Sequence, residues 1–170
     1  TPVDPRVLEA MLPYFTERFG NPSSIYALGR DARAGLDLAR GTLGALLNAH
    51  PRELVMTSGA TESNNLALRG IAELQLLRDT GKMHLVVSAI EHPSILHSVE
   101  MLERRGFEVT RVQPTPAGIV PVASVMSAIR SETCLISVMY ANNEIGTIQP
   151  ISEIAQAAHL HGIPVHCDAV

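Results

Sequence analysis

The chain has 170 residues, 46% of them hydrophobic, with 13 Lys and Arg against 17 Asp and Glu and a formal net charge of −4. That length suits one domain burying roughly two thirds of its unfolded surface, and the scattered basic residues form no patch for a phosphate backbone, so no nucleic-acid partner is expected. No apolar run reaches the ~20 residues of a bilayer span and no charged-then-apolar leader opens the sequence, so the expectation is a soluble, cytoplasmic protein with no membrane partner.

In chain order, helical periodicity is predicted over residues 5–18, 29–47, 62–77, 94–105, 122–131 and 151–161, and strand-length apolar runs over 54–57, 85–88, 107–112, 135–140 and 164–167. The alternation is βαβ. Nearly continuous apolar strands predict an α/β fold with a mostly parallel sheet covered by helices on both faces. Cys134 and Cys167 both fall inside strand runs, as buried thiols in a reducing compartment rather than a disulfide framework. Thr1 is not a methionine and Val170 ends within an apolar run, so residues 1–170 are expected to be one truncated domain of a longer chain.

Open α/β sheets bind ligands beyond the carboxyl ends of their strands. Following each predicted strand to that end gives Thr57-Ser58-Gly59-Ala60-Thr61, Glu91-His92-Pro93-Ser94, Asn142-Asn143-Glu144-Ile145-Gly146 and Asp168. The strand at 107–112 leads only to Gln113-Pro114-Thr115, which is left out of the site and placed towards a sheet edge. Residues 57–61 read as a strand-to-helix turn in which Gly59 allows close backbone approach. The first helical amides and the hydroxyls of Thr57, Ser58 and Thr61 then face a bound anion. The other reading is an ordinary N-cap with Ser58 or Thr61 capping and Glu62 favouring the dipole. Asp168 reads either as a carboxylate beside a cationic group or as an N-cap, His92 as a site imidazole or a loop histidine, and Asn142 and Asn143 as site carboxamides or turn formers. An anion cradle, a flat imidazole, a carboxamide and a carboxylate together complement pyridoxal 5′-phosphate.

Five segments together resemble the cysteine desulfurase family, class V of the fold-type I pyridoxal-phosphate enzymes, in the branch that supplies sulfur for iron–sulfur clusters. They are Phe19-Gly20-Asn21-Pro22-Ser23-Ser24, residues 57–65, Glu91-His92-Pro93-Ser94, Ala141-Asn142-Asn143-Glu144-Ile145-Gly146 and His166-Cys167-Asp168-Ala169. The resemblance implies the large domain of a fold-type I transferase, incomplete here. By motif it implies phosphate contacts at Ala60 and Thr61, and at His92 a ring-stacking imidazole with a catalytic role in proton transfer. It places Asn142 near the ring hydroxyl and substrate carboxylate, and Asp168 at the ring nitrogen. Tyr26 departs from the histidine common in the family after Asn-Pro-Ser-Ser. L-cysteine as substrate, a homodimer, and an iron–sulfur scaffold or other sulfur-acceptor protein as partner are further implications.

The lysine that binds the cofactor and the cysteine that takes up sulfur are expected outside these residues, because the single lysine, Lys82, precedes a strand and emerges at the wrong end of the sheet. The residues alone are therefore expected to be inactive. The same scaffold also serves selenocysteine lyases, other class V lyases and aminotransferases, and non-catalytic scaffold relatives.

Overall fold

A computed structural model describes residues 2–170; Thr1, the first residue of the expected domain, lies outside the described residues. The chain divides into two compact units, Thr1–Met56 and Thr57–Val170.

The first unit is helical: α1 (Pro5–Met11), α2 (Pro13–Thr16), α3 (Ala27–Leu47) and a 3-10 turn at Pro51–Glu53. The helix expected over 5–18 is split at Leu12. Pro13 has no N–H to offer the preceding turn, and starts α2 instead. Between α2 and α3 the Gly20-Asn21-Pro22-Ser23-Ser24 loop is held by Asn21, whose Oδ1 accepts the Ser23 N–H at 2.9 Å and whose carbonyl accepts the Ser24 N–H at 2.9 Å. Two glycines let this loop lie directly on the start of α3. A Cβ at Gly20 would stand 2.1 Å from the Leu28 carbonyl oxygen, and one at Gly29 2.4 Å from that of Ser24.

Backbone cannot yield as a side chain does, so Gly29→Ala is expected to cost about 3 kcal/mol in this unit. Gly41, in the same helix with nothing within 4 Å of its would-be Cβ, supplies the control: Gly41→Ala is expected to stabilise by about 0.5–1 kcal/mol. Urea midpoints of the two variants moving in the same direction would refute this account of the loop.

The second unit is the α/β body. It runs α4 (Ala60–Arg78), β1 (His84–Ser88), α5 (Pro93–Glu103), β2 (Glu108–Val112), α6 (Val122–Ser127), β3 (Thr133–Ser137), α7 (Ile151–Leu160) and β4 (Val165–His166). All strand pairs are parallel, in the order β2-β1-β3-β4, which puts β2 at an edge as expected. Alternate side chains of the central strands face opposite helical layers. Leu85 and Val87 join Leu68 and Ala72 of α4 and Ile95, Val99 and Leu102 of α5, whereas Val86 and Ile136 join Val125 of α6 and Ile154 and Ala158 of α7. His84, 1% exposed, ties three strands together: Nδ1 meets Thr133 Oγ1 at 2.8 Å and Nε2 meets Thr110 Oγ1 at 2.9 Å.

One expected strand does not form. Residues 54–57 carry no ladder, and Val55 and Met56 are 66% and 45% exposed. A strand needs a neighbour for its N–H and C=O groups, and this segment has none among the described residues; the Leu54 carbonyl instead accepts from the Arg40 guanidinium at 2.6 Å.

The connection from β1 goes to β2 on one side, and the next strand, β3, returns to the other side of β1. That reversal opens a crevice at the carboxyl ends of β1 and β3, where the connecting chains part in opposite directions.

Candidate active site

A cavity at this crevice is lined by Ala60, His92, Met139, Ala141, Asn143, Asp168 and Val170. The turn before α4, the loops after β1 and β3, and the residues after β4 all reach it. Of the residues singled out in sequence, Ala60, His92 and Asp168 are brought together. Thr61 lies at the next position of the helical turn, exposed. Asn142 is used by its own turn: Oδ1 accepts the N–H groups of Glu144 and Ile145, both at 3.0 Å, and Nδ2 donates to the Ile90 carbonyl at 2.9 Å. It lines the neighbouring cavity, while Asn143 lines this one.

α4 begins at Gly59, extended at φ 165°, and has no side-chain cap. The hydroxyls expected to face an anion are partly occupied. Thr57 Oγ1 pairs with Ser63 Oγ at 2.6 Å, and the Ser58 hydroxyl and N–H both donate to Glu62 Oε2, at 2.6 and 2.7 Å. These two bonds hold the Glu62 carboxyl below its usual range. The Ala60 and Thr61 amides and the Thr61 hydroxyl remain for an anion, and a Cβ at Gly59 would meet nothing within 4 Å. Nothing inside the chain therefore asks for glycine there, whereas a phosphate close to the backbone would.

His92 is the N-cap of α5. Its Nδ1 accepts the Ser94 N–H at 3.1 Å, so in this network the ring proton sits on Nε2, which has no partner among the described residues. Asp168 takes the Val170 N–H on Oδ1 at 3.2 Å and the Asn64 amide on Oδ2 at 2.8 Å. Its carbonyl accepts the Tyr140 N–H at 2.7 Å, which fixes the main chain here. Pyridoxal phosphate fits this donor set: amides at a helix start for the phosphate, a carboxylate for the ring nitrogen, and an imidazole with one free N–H.

Three further residues of the site region carry no role in the sequence reading. Asn64 and Ser94 connect Asp168 to His92. Glu91, 5% exposed, receives the Ser88 hydroxyl and the Met139 N–H on Oε1, both at 2.6 Å, and Oε2 has no partner. Burial pushes its carboxyl up to about 6, against the lowering effect of those two bonds. The signal for Asn64 was present: it stands at i, i+4 and i+8 with Leu68 and Ala72, a carboxamide on an apolar stripe.

Lys82 lines a cavity with Thr133 and Ile163, at the amino ends of the strands and opposite to this site. Cys134 is buried and burial pushes its thiol up to about 11. Cys167 is only half-buried, less than expected, and is also raised, first by burial and then by the charges of Glu91 and Asp168. Neither thiol is poised as a nucleophile. No helix among the described residues is long and apolar enough to cross a membrane.

The family model of the class-V aminotransferases matches residues 1–170. A cysteine desulfurase IscS of Methanosarcina thermophila is 50% identical over 170 residues, which cover all of this chain and 41% of that protein. Among solved structures, a NifS-like protein superposes with a TM-score of 0.94 at 35% identity, covering 100% of this chain and 46% of that one. SspA, solved in complex with cysteine, superposes with a TM-score of 0.93 at 42% identity, covering 99% of this chain and 48% of that one. The chain thus spans less than half the length of each of these relatives.

Proposed function

Because the chain belongs to the class-V aminotransferase family, we propose that it forms most of the cofactor-binding part of a cysteine desulfurase. That protein would bind pyridoxal 5′-phosphate and convert L-cysteine to L-alanine and enzyme-bound sulfur. The observation that carries the proposal is the convergence of Ala60, His92 and Asp168 on one cavity at the point where the strand order reverses. The desulfurase relatives support the reaction, and the cysteine bound to SspA supports the substrate.

When bound, the cofactor supplies an electron sink for the substrate's α-carbon. This chain's residues hold it and manage protons. The amides of Ala60 and Thr61, at the positive end of α4, take the phosphate. Asp168 keeps a proton on the ring nitrogen by charge pairing. His92 lies against the ring and presents its Nε2 proton, so at rest it is a donor. Asn142 shapes the turn that carries Ala141 and Asn143 to the cavity, from which a substrate carboxylate is met.

The lysine and the sulfur-accepting cysteine belong to other parts of the full protein, since Lys82, Cys134 and Cys167 are unsuited to those roles. We further take the protein to be a cytoplasmic homodimer that passes sulfur to an iron–sulfur scaffold or another acceptor. The test is reconstitution of the full-length protein with pyridoxal phosphate, followed by assay of alanine and sulfide from L-cysteine. Absence of both the bound-cofactor absorbance and the products would reject the proposal.

A further inference from the structure

One carboxamide lies between two residues of the site. Asn64 is in the second turn of α4, 3% exposed, and its Nδ2 donates to Asp168 Oδ2 at 2.8 Å and to Ser94 Oγ at 3.0 Å. Both amide hydrogens are thereby committed. Ser94, also buried, has one hydroxyl proton to give, and His92 Nδ1 stands 2.8 Å from its Oγ. Since Nδ1 already accepts the Ser94 backbone N–H, the hydroxyl must be the donor here as well. Hydrogens therefore run outward from Asn64 along two arms, one ending on a carboxylate and the other on an imidazole.

We infer that Asn64 is a positioning residue that fixes the Asp168 carboxylate and the His92 ring as one unit, an inference that rests on reading the cavity as a pyridoxal-phosphate site. An NH2 group can only donate, so the polarity of both arms is set by Asn64 and neither end can reverse it. Buried bonds of this kind, one of them to a charged group, restrict rotation strongly, because few alternative partners exist in the interior. The carboxylate that meets the ring nitrogen and the imidazole that meets the ring face come from segments far apart in sequence, and Asn64 keeps them in register.

The test uses the full-length protein, stripped of cofactor and titrated with pyridoxal phosphate, with dissociation constants read from absorbance. Asn64→Ala is expected to weaken binding about tenfold or more in the wild-type background. In an Asp168→Ala background the same change is expected to cost only a few-fold, through the Ser94 arm, because no carboxylate remains to be positioned. A merely structural role for Asn64 predicts the same factor in both backgrounds, and that result overturns the inference. If Asn64→Ala does not fold, Asn64→Asp keeps the shape while removing both donors. It is expected to weaken binding at least as much, and unchanged binding overturns the inference. Failure of the wild-type protein to take up pyridoxal phosphate overturns the cofactor reading and this inference together; uptake by wild type and variants alike overturns only the inference.

Discussion

Asp168→Ala in the full-length protein is expected to lower affinity for pyridoxal phosphate by about 10²–10³-fold, the factor that follows from the 3–5 kcal/mol lost when one partner of a buried ion pair is removed. The loss belongs to the charge and not to the fold. The residue's main chain is held through its carbonyl by the Tyr140 N–H at 2.7 Å, a bond that the substitution leaves in place. Its side chain touches the body of the protein through the Asn64 amide and the Val170 N–H. Asp168→Asn, isosteric and uncharged, is expected to lose nearly as much, because an amide cannot pair with a protonated pyridine nitrogen as a carboxylate does. Absorbance titration gives the affinities and thermal melting of the cofactor-free proteins gives the control. Near-wild-type affinity in both variants would remove Asp168 from the site, and a melting temperature reduced in proportion to the affinity loss would make its role structural.

Much of this arrangement is written locally in the chain. The βαβ alternation follows from runs whose period alternates between strand and helix, and the edge position of β2 from the strand end Gln113-Pro114-Thr115 with nothing to contribute. The gathering of Ala60, His92 and Asp168 follows from the rule that ligands lie at the carboxyl ends of parallel strands. Other features depend on partners that no local window contains. Residues 54–57 have the composition of a strand but no neighbour in the described sheet, and strand structure is a property of a pair. Asn64 meets Asp168 across 104 positions and Ser94 across 30, so its polar role is invisible until the sheet closes. Asn142 is an intermediate case. Its resemblance-based role concerned ligand contact, whereas its side chain here satisfies the backbone of its own turn, the alternative open to any asparagine followed by a glycine-containing loop.

Glu91 shows how such closure changes the chemistry of a single carboxyl. With Oε1 taking two donors and Oε2 none, the group is only partly compensated for leaving water, and burial raises its pKa to about 6 from an ordinary value of 4.5. The charge of Asp168 adds to that direction. Because the folded state holds this proton more tightly than the unfolded chain, the contribution to stability is fully present below about pH 4.5. It falls as pH rises towards about 6 and is absent above it, a change of about 2 kcal/mol. The buried imidazoles act oppositely. Burial lowers His84 and His166, so their contribution is present above the usual imidazole range and is lost as pH falls. Comparison with Glu91→Gln isolates the carboxyl. Glutamine keeps an oxygen for the Ser88 hydroxyl and the Met139 N–H, and any cost of its unpartnered NH2 is the same at every pH. Urea midpoints of the full-length protein should therefore show the variant gaining on wild type by about 2 kcal/mol between pH 4.5 and pH 7.5, whatever their order at the start. Two parallel stability curves would mean that Glu91 is ionised throughout and that its buried oxygen is compensated by solvent. Its proximity to Asp168 would then add nothing to the pH dependence.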